Sequence, residues 1–342
     1  MFRRSIIVFI TLLLCVFAEK PLLHVDQNGF FKVVQFTDHH CAQRSNDTTT
    51  YEAMKNVISI EKPDFAAITG DMVGGAAWDK TKGWFEKQWK LMTRVYNEYK
   101  LYYGYVLGNH DSEADLSREE VMQLDMTHPF SMSKLGPKDI VGASNFIIPV
   151  YEYNSTTKYA FIMYFFDSMR DTCMGVRSWG CVELETIDWY YKKSQEIEKQ
   201  QGHVVPAIAF LHIPPQEFMT AWNDGKPVGY KYDWVNCPPQ NSGLFAAMKK
   251  RNDVVGIYAG HDHSSDFAVT WQGIQLAYGR KTGKSVDSPP EFMKIGGRVI
   301  NIRSHRGESI DIDTYIRNID GEKEIQTKPD GYMERQNECE RG

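Results

Sequence analysis

The feature of this 342-residue chain that most limits its fold is the alternation of short apolar runs with amphipathic helical patterns. The apolar runs at 31–36, 65–69 and 103–107 have the length of buried strands, and the intervening segments 51–62 and 83–99 carry apolar side chains at helical spacing. Strands that alternate with helices indicate βαβ units and parallel pairing. We therefore expect an α/β fold.

The rest of the chain continues this pattern and adds antiparallel strands. Residues 145–153 and 159–166 are β-rich on either side of a polar segment, which predicts a hairpin. Further strands are predicted at 204–211, 254–258, 267–271, 274–278, 298–302 and 310–316, and further helices at 185–201 and 244–251. Because no linker divides the sequence, we expect one domain over 19–318 and a loose polar tail at 319–342.

Residues 1–18 have the pattern of a secretory signal peptide. Arg3 and Arg4 precede an apolar run of about 13 residues, which is too short to span a bilayer. Val16 and Ala18 fit the small-residue rule before a cleavage site. A second apolar run of that length is missing from the sequence. We therefore predict a secreted protein, or one in the lumen of lysosome- or vacuole-type vesicles, without a transmembrane anchor.

The cysteines also favour export. Cys173 and Cys181 stand eight residues apart around two glycines, a loop that a disulfide closes easily. Five cysteines remain beyond the signal peptide, and this odd number leaves at least one without an intramolecular partner. The sequence does not decide the pairing of the other three, Cys41, Cys237 and Cys339.

Two further properties bear on processing and partners. The triplets that begin at Asn46 and Asn154 are glycosylation sequons, which fit a secreted chain. The formal charge is −5 and becomes more negative once the two arginines of the signal peptide are lost. An acidic protein is poorly suited to electrostatic binding of nucleic acid, so no nucleic-acid partner is expected.

Residue types that bind metals stand directly after five of the predicted strands. In an open α/β sheet the carboxyl ends of the strands line the crevice where ligands bind, so these residues are expected to converge. A preference for turns or helix caps could explain a polar residue at one strand end. It does not explain five such ends, because together they hold six of the ten histidines. The motifs are Asp38-His39-His40, Gly70-Asp71, Gly108-Asn109-His110-Asp111, His212 and Gly260-His261-Asp262-His263.

The residue types indicate the metals and the chemistry. Carboxylate oxygen combined with imidazole nitrogen suits Zn, Mn or Fe, whereas oxygen alone would suggest Mg or Ca. One carboxylate can bridge two metal ions, and two ions about 3.5–4 Å apart can bind the attacking and leaving oxygens of a phosphate. The expected cofactors are therefore two divalent or trivalent ions, and the expected substrate is a small phosphorylated molecule.

In this order, the motifs resemble those of the calcineurin-like metallophosphoesterase superfamily over residues 31–305. The segments 210–214, 242–245 and 278–283 also resemble its purple-acid-phosphatase-like branch. The resemblance implies the metallo-dependent phosphatase fold, a four-layer αββα sandwich of two mixed β-sheets flanked by helices. It also implies hydrolysis of a phosphate ester by a metal-bound hydroxide.

The resemblance further implies a role for each motif residue. Asp71 would bridge the two metals, and His110 would contact the phosphate and protonate the leaving oxygen, oriented by Asp111. The remaining ligands of the first metal would be Asp38, His40 and His263. Those of the second would be Asn109, His212 and His261. Asn109 and Arg280 are also candidates for contact with substrate, although a position in a surface loop is the simpler interpretation of Arg280.

Two departures from the family pattern affect the metals. His39 occupies a position that is usually apolar, and the family spacing assigns the metal to His40, so His39 is expected to point away. Purple acid phosphatases have a tyrosine shortly after the bridging aspartate, whereas Met72 and Val73 follow Asp71 here. Those enzymes also lack a histidine at the position of His40. An iron–tyrosinate centre is therefore not expected, and the metals remain Fe, Zn or Mn.

Three functional hypotheses follow. The first is a phosphomonoesterase, the second is a phosphodiesterase on nucleotide or lipid-derived diesters, and the third is an inactive secreted binding protein. The complete set of ligands disfavours the third. Trp222, Tyr230 and Trp234 form either a loop beside the site or part of an aromatic core, and the sequence does not decide the oligomeric state.

Overall fold

The computed structural model describes residues 20–43, 47–285 and 288–339. The predicted signal peptide and Asn46 lie outside these residues. Asn154 is exposed in the turn between the two strands of the predicted hairpin. Within the described ranges, no helix has both the length and the apolar character needed to cross a membrane.

One sheet contains the predicted βαβ units. Its strands Phe30–Phe36, Phe65–Thr69 and Tyr103–Val106 pair in parallel and are joined by helices Asp47–Glu61 and Trp84–Tyr99. Antiparallel strands extend this sheet beyond Phe30–Phe36, in the order Gly296–Ser304, Ile310–Asn318 and Lys323–Glu324. Parallel pairing places the carboxyl ends of the first three strands at one edge, as the sequence predicted.

Helix Trp84–Tyr99 shows how the amphipathic pattern produces its element. Phe85, Trp89, Met92 and Tyr96 are buried, and they recur at the three- and four-residue spacing of one helix face. The carboxylate of Asp115 accepts the backbone N–H groups of Gly83 and Phe85, which the start of the helix leaves without intrahelical partners. The predicted bounds of this helix are correct to within one residue.

The second sheet contains the hairpin. Phe146–Tyr151 pairs antiparallel with Tyr159–Phe165, which then pairs in parallel with Ala207–Phe210. The sheet continues through Val254–Ala259, Ile274–Tyr278 and Ala268–Trp271 on that side, and Leu23–His24 forms its other edge. Because the three central pairings are parallel, two more motif-bearing strand ends lie together at one edge of this sheet.

The two sheets pack face to face. The rings of Phe31 and Phe161 lie 5.6 Å apart across the interface, and those of Phe65 and Phe165 lie 6.4 Å apart. Gly104 allows this approach, since a Cβ atom there would stand 2.8 Å from Cζ of Phe165. On the far side of the second sheet, helices Leu184–Gln201 and Leu244–Arg251 cover a second apolar core. The four-layer sandwich of two mixed sheets and flanking helices is thereby confirmed.

Two short helices were not predicted, Arg118–Met126 and Glu217–Asp224. The first helix has a start signal in its sequence. The hydroxyl of Ser117 accepts the N–H of Glu120, and the carboxylate of Glu120 accepts the N–H of Ser117, which is a capping box. Each helix is about two turns long, too short to show a clear apolar periodicity.

The segment after residue 318 is held on the domain, and its prediction as a loose tail is wrong for residues 319–339. Pro329–Gly331 pairs in parallel with Gly229–Lys231, and Cys339 forms a disulfide with Cys237. The side chain of Gln336 is buried, and its amide binds the backbone N–H and C=O of Val235. The polar composition of the segment conceals these backbone and disulfide contacts.

Candidate functional site

Backbone geometry at the strand ends brings the motif residues together. Four candidate ligands have left-handed backbone angles, with φ values of 53° at Asp38, 47° at His40, 51° at Asp71 and 81° at His261. Residues other than glycine seldom adopt this conformation, and it is retained where the surrounding structure demands it, often at functional sites. The chain therefore turns sharply after each strand and allows the side chains to converge between the two sheets.

Asp38, His40 and His263 form the first group. Oδ1 of Asp38 lies 3.8 Å from Nε2 of His40 and 3.4 Å from Nε2 of His263, and the two Nε2 atoms are 3.0 Å apart. Asp38 and His40 are buried, whereas the side chain of His263 keeps 16% of its surface exposed. Three ligand atoms within 4.8 Å of one another can hold one metal ion, with access from solvent beside His263.

The orientation of His40 presents Nε2 to this group. Its Nδ1 atom lies 2.8 Å from Oε1 of Gln43, which can only accept a hydrogen bond. Nδ1 therefore carries the proton, and the lone pair of Nε2 faces Asp38 and His263. A second hydrogen bond that fixes the tautomer in this way is typical of a metal-binding histidine.

Asp71, Asn109 and His212 form the second group. Nε2 of His212 lies 3.1 Å from Oδ2 of Asp71 and 3.0 Å from Oδ1 of Asn109. Nδ1 of His212 donates to the backbone carbonyl of Thr69 at 2.7 Å, so Nε2 is the ring nitrogen that faces Asp71 and Asn109. Oδ2 of Asp71 is 3.6 Å from Nε2 of His40, which places this carboxylate between the two groups.

Buried polar atoms without hydrogen-bond partners fit a pair of metal ions. Among the described residues, Oδ1 of Asp38 and Nε2 of His261 have no such partner. Leaving buried polar atoms unsatisfied costs about 1–3 kcal/mol each, a cost that coordination to a cation removes. His261 lies at the site: its ring centroid is 5.1 Å from that of His212, and its backbone N–H donates to the carboxylate of Asp38.

The electrostatics of the site favour positive charge. Burial alone would raise the pKa of Asp71, but His212 and His110 hold it well below its usual value. Burial lowers the pKa of His212, yet the carboxylate of Asp71 raises it overall to about 9. Burial lowers the pKa of His261 to about 3, which keeps this ring neutral, as a metal ligand must be. The carboxylates therefore attract a cation, and His261 offers it a lone pair.

Two motif glycines are required by close contacts within the site. A Cβ atom on Gly70, whose φ is 88°, would stand 2.4 Å from Nδ1 of His212. A Cβ atom on Gly108 would stand 2.1 Å from Oδ1 of Asp71. Glycine before the aspartate and before the asparagine is thus needed for the side chains of the two motifs to reach each other.

His110 is oriented by Glu113, and the prediction that Asp111 orients it is wrong. Nδ1 of His110 lies 2.7 Å from Oε2 of Glu113, and Oε1 of Glu113 lies 3.1 Å from the guanidinium of Arg170. Burial lowers the pKa of His110, but Asp71 and Glu113 raise it overall to about 9. The imidazole is therefore protonated at neutral pH, and its side chain is 30% exposed beside the two groups.

Asp111 instead holds the backbone of two motifs. Its fully buried carboxylate accepts N–H groups from Gly108 and Asp71 at 2.8 Å and from Val73 at 3.1 Å. Its two oxygens face backbone N–H groups, so the side chain is turned away from His110. Asp111 thus fixes Asp71 against the strand end that carries Asn109.

A disulfide-closed loop covers one side of the site. Cys173 and Cys181 are bonded, as predicted, and the loop between them carries Trp179, whose ring lies edge-on to His261 at 4.4 Å. The backbone carbonyl of Arg170 accepts the N–H of Gly180, so the same loop also positions the partner of Glu113. Sequence reasoning missed Glu113, Arg170 and Trp179. The position of Trp179 within a short disulfide loop is the one signal that it offered.

The structure also settles the cysteine pairing that the sequence left open. Cys237 and Cys339 are bonded, and Cys41 is the free cysteine among the described residues. Its thiol is buried and lies 3.8 Å from the backbone carbonyl of Gln88, and burial raises its pKa. A buried, protonated thiol is a weak ligand, although Cys41 follows His40 directly.

Arg280 does not contact a substrate, and this prediction is wrong. Its side chain is fully buried, with Nε 2.6 Å from Oδ2 of Asp266 and another guanidinium nitrogen 3.1 Å from Oε2 of Glu324. Its donors therefore stabilise the chain segment after His263 and connect it to the strand Lys323–Glu324. A buried arginine needs carboxylate partners of this kind, and they come from distant parts of the sequence.

His39 belongs to neither ligand group, in agreement with the assignment of the metal to His40. Its ring is fully buried, and both ring nitrogens lack hydrogen-bond partners among the described residues. Burial lowers its pKa to about 3. The imidazole is therefore neutral, and its ring centroid lies 6.3 Å from that of Phe36.

Comparisons with known proteins identify the family and support the fold. The chain is 28% identical over 320 residues to "Probable inactive purple acid phosphatase 28" of Arabidopsis thaliana, covering 83% of this chain and 78% of that one. It is 26% identical over 288 residues to "Phosphatase DCR2" of Saccharomyces cerevisiae, covering 75% and 49%. A dimetal phosphatase from Danio rerio has the same fold, with a TM-score of 0.56 at 13% identity over 83% and 98% of the two chains. A sequence model described as calcineurin-like phosphoesterase matches residues 31–265, and the chain therefore belongs to that family.

Proposed function

We propose that this protein is an exported dinuclear-metal phosphoesterase, a phosphomonoesterase in the first instance. The observation that carries the proposal is the pair of ligand groups that meet at Asp71, with the Nε2 atoms of His40 and His212 directed into them. Asp38 and His263 would complete the first metal site, and Asn109 and His261 the second. Nitrogen and oxygen ligands favour Fe, Zn or Mn.

The chain's own residues would bind and orient the ester. When bound, the two ions would polarise the phosphate oxygens and lower the pKa of a water molecule towards neutrality. His110 is protonated and partly exposed, so it would donate its proton to the leaving oxygen. Glu113 would hold that imidazole, and Trp179 would exclude water beside His261. Asn109 would contact both metal and substrate.

The disulfides support export. Cys173–Cys181 and Cys237–Cys339 are compatible with an oxidising compartment, where such bonds persist. We propose that residues 1–18 direct the chain there as a cleaved signal peptide, to the secreted or vesicular space, where Asn46 and Asn154 would carry glycans. Mass spectrometry of the mature N-terminus and of glycosidase-treated protein tests both points.

Metal content and hydrolysis together test the function. The purified mature chain is expected to hold two metal ions by elemental analysis and to hydrolyse p-nitrophenyl phosphate faster than bis(p-nitrophenyl) phosphate, across pH and added Zn, Mn or Fe. Asp71→Asn and His261→Ala should abolish turnover and lower metal content while far-ultraviolet circular dichroism stays native. Asp188→Asn and His305→Ala, at exposed positions, are the matched controls.

The other outcomes identify the alternatives. Faster hydrolysis of the diester would assign a phosphodiesterase. The word "inactive" in the name of the Arabidopsis relative makes a third result worth measuring. A folded chain with less than one metal ion and no turnover would contradict the proposed enzyme and identify a binding protein.

A further inference from the structure

Five aromatic side chains form a partly exposed cluster, which we name the aromatic wall. Phe292 contacts Tyr230 and Tyr232 with ring centroids 5.7 and 5.1 Å apart. Tyr332 contacts Tyr232 and Trp234, each at 5.9 Å. Phe292 is 55% exposed and Tyr332 is 47% exposed. A group of large aromatic side chains that stays accessible to solvent is typical of a surface that binds a ligand or a partner.

The wall is assembled from three distant parts of the chain. Phe292 and Tyr332 lie beyond residues 31–265, the part that matches the calcineurin-like phosphoesterase family. Strand Pro329–Gly331 pairs with Gly229–Lys231, and the N–H of Tyr332 donates to the carbonyl of Lys231 at 2.7 Å. The disulfide Cys237–Cys339 closes the same arrangement. The C-terminal segment therefore adds a feature of this chain to the shared catalytic domain.

A backbone hydrogen bond joins the wall to the residue that follows His263, a proposed metal ligand. The N–H of Tyr232 donates to the carbonyl of Ser264 at 2.9 Å, and the N–H of Ser264 donates to Asp233 at 2.5 Å. Ser264 directly follows His263, the ligand with an exposed side chain. Asn236, four residues after Tyr232, binds the carboxylate of Asp262 at 2.8 Å. The segment that carries the wall is thus bonded along the loop that carries His261 and His263.

We propose that the aromatic wall binds a planar aromatic ring in the leaving group of the ester, such as a nucleobase. This inference rests on the proposed function, which places the phosphate at the metal site and leaves the rest of the ester to extend outward past His263. Aromatic rings pair by stacked and edge-on contacts, a geometry that the accessible rings of Phe292 and Tyr332 allow.

Polar and charged groups around the aromatic wall bear on which ring it can bind. The hydroxyl of Tyr232 donates to Asp330 at 2.8 Å, and the carboxylate of Asp233, the next residue, accepts the backbone N–H of Ser264. The carboxylate of Asp330 can also accept a hydrogen bond from an amino group. Cations lie beneath the wall as well, since Nζ of Lys231 is 4.4 Å from the ring of Trp234 and the guanidinium of Arg280 is 5.6 Å from that of Tyr230. A flat ring that carries amino groups can therefore contact the exposed rings and bind Asp330.

Matched substrates test the proposal. Adenosine 5′-monophosphate and methyl ribofuranoside 5-phosphate contain the same primary phosphate ester and differ in the base. The full-length mature protein is expected to show a kcat/KM ratio in favour of the nucleotide of about tenfold, the size of one good aromatic contact. Phe292→Ala and Tyr332→Ala should each reduce that ratio severalfold. Tyr153→Ala, at an equally exposed tyrosine outside the wall, should leave it unchanged.

The outcomes separate this inference from the proposed function. A wild-type kcat/KM ratio near one, or a ratio that both variants retain, would overturn the proposal that the aromatic wall binds the base. It would leave the proposed phosphoesterase function untouched. Preference for octyl phosphate that the same variants remove would overturn the aromatic occupant. If neither sugar phosphate is hydrolysed, hydrolysis of p-nitrophenyl phosphate still decides the proposed function, and calorimetric titration with adenosine tests the wall. Equal binding by wild type, Phe292→Ala and Tyr332→Ala, or none by wild type, would then overturn it.

Discussion

Nδ1 of His110 lies 2.7 Å from Oε2 of Glu113, whose other carboxylate oxygen pairs with the exposed guanidinium of Arg170. This carboxylate both orients the imidazole and raises its pKa, so in the proposed reaction it would prepare His110 to donate a proton. Glu113→Ala should lower kcat by roughly 10²-fold, the lower limit of what general acid catalysis contributes. Steady-state kinetics with p-nitrophenyl phosphate would measure this effect.

Controls for Glu113 distinguish orientation from folding. Glu113→Gln keeps an acceptor for Nδ1 but loses the charge, so its kcat should lie between those of wild type and Glu113→Ala. Glu119→Gln removes an exposed carboxylate six residues away and should match wild type. Unchanged kcat in Glu113→Ala at full metal content would contradict the role of Glu113.

Asp111 should prove a structural residue. Asp111→Asn places an NH₂ group against backbone donors, because its carboxylate accepts three N–H groups in a fully buried position. We expect the free energy of unfolding to fall by about 2–4 kcal/mol. Asp115→Asn, which weakens the partly exposed contacts at the start of helix Trp84–Tyr99, should cost only about 1 kcal/mol. Equal losses in urea unfolding would show that burial of Asp111 does not matter.

The two disulfides should differ in what their removal affects. Replacing Cys173 and Cys181 by serine opens a loop of eight-residue separation and should cost about 2–3 kcal/mol. It also frees Trp179, so kcat/KM should fall. Replacing Cys237 and Cys339, 102 residues apart, should cost about 4–5 kcal/mol. Thermal unfolding and kinetics on both double variants check this order, and a larger stability loss on opening the short loop would contradict it.

Lys231 should destabilise the protein below pH 8. Its ammonium is buried, has no hydrogen-bond partner among the described residues, and lies 4.4 Å from the ring of Trp234. Burial lowers its pKa from 10.5 to about 8, although Asp262 and Asp233 oppose this shift. Lys231→Met should therefore raise the free energy of unfolding by about 2 kcal/mol at pH 7.

The sign of the pH dependence follows from the protons bound. Between pH 8 and 10.5 the unfolded chain keeps the proton on Lys231 that the folded chain has lost, so wild-type stability rises with pH in this window. The advantage of Lys231→Met should shrink accordingly. Lys226→Met, at an exposed position, is the control, and a pH-independent difference would refute the assignment.

The sequence by itself determined the strand-end motifs, the α/β class and the first disulfide. Strand and helix periodicity is local, and parallel strands align their carboxyl ends, so the meeting of Asp38, Asp71, Asn109 and His212 follows from the order of the elements. Likewise, the glycines before Asp71 and Asn109 are visible in the sequence, although the contacts that require them are not.

Only the tertiary structure decided which side chains serve these residues. Asp111 and Glu113 stand one and three residues from His110. The conformation of the turn places the carboxylate of Glu113 against the imidazole, whereas that of Asp111 accepts backbone N–H groups. Arg280 is buried because Asp266 and Glu324 meet it there. The C-terminal segment is held by a partner strand and by Cys237. Such contacts join residues far apart in the chain or depend on a single turn, and neither periodicity nor composition records them.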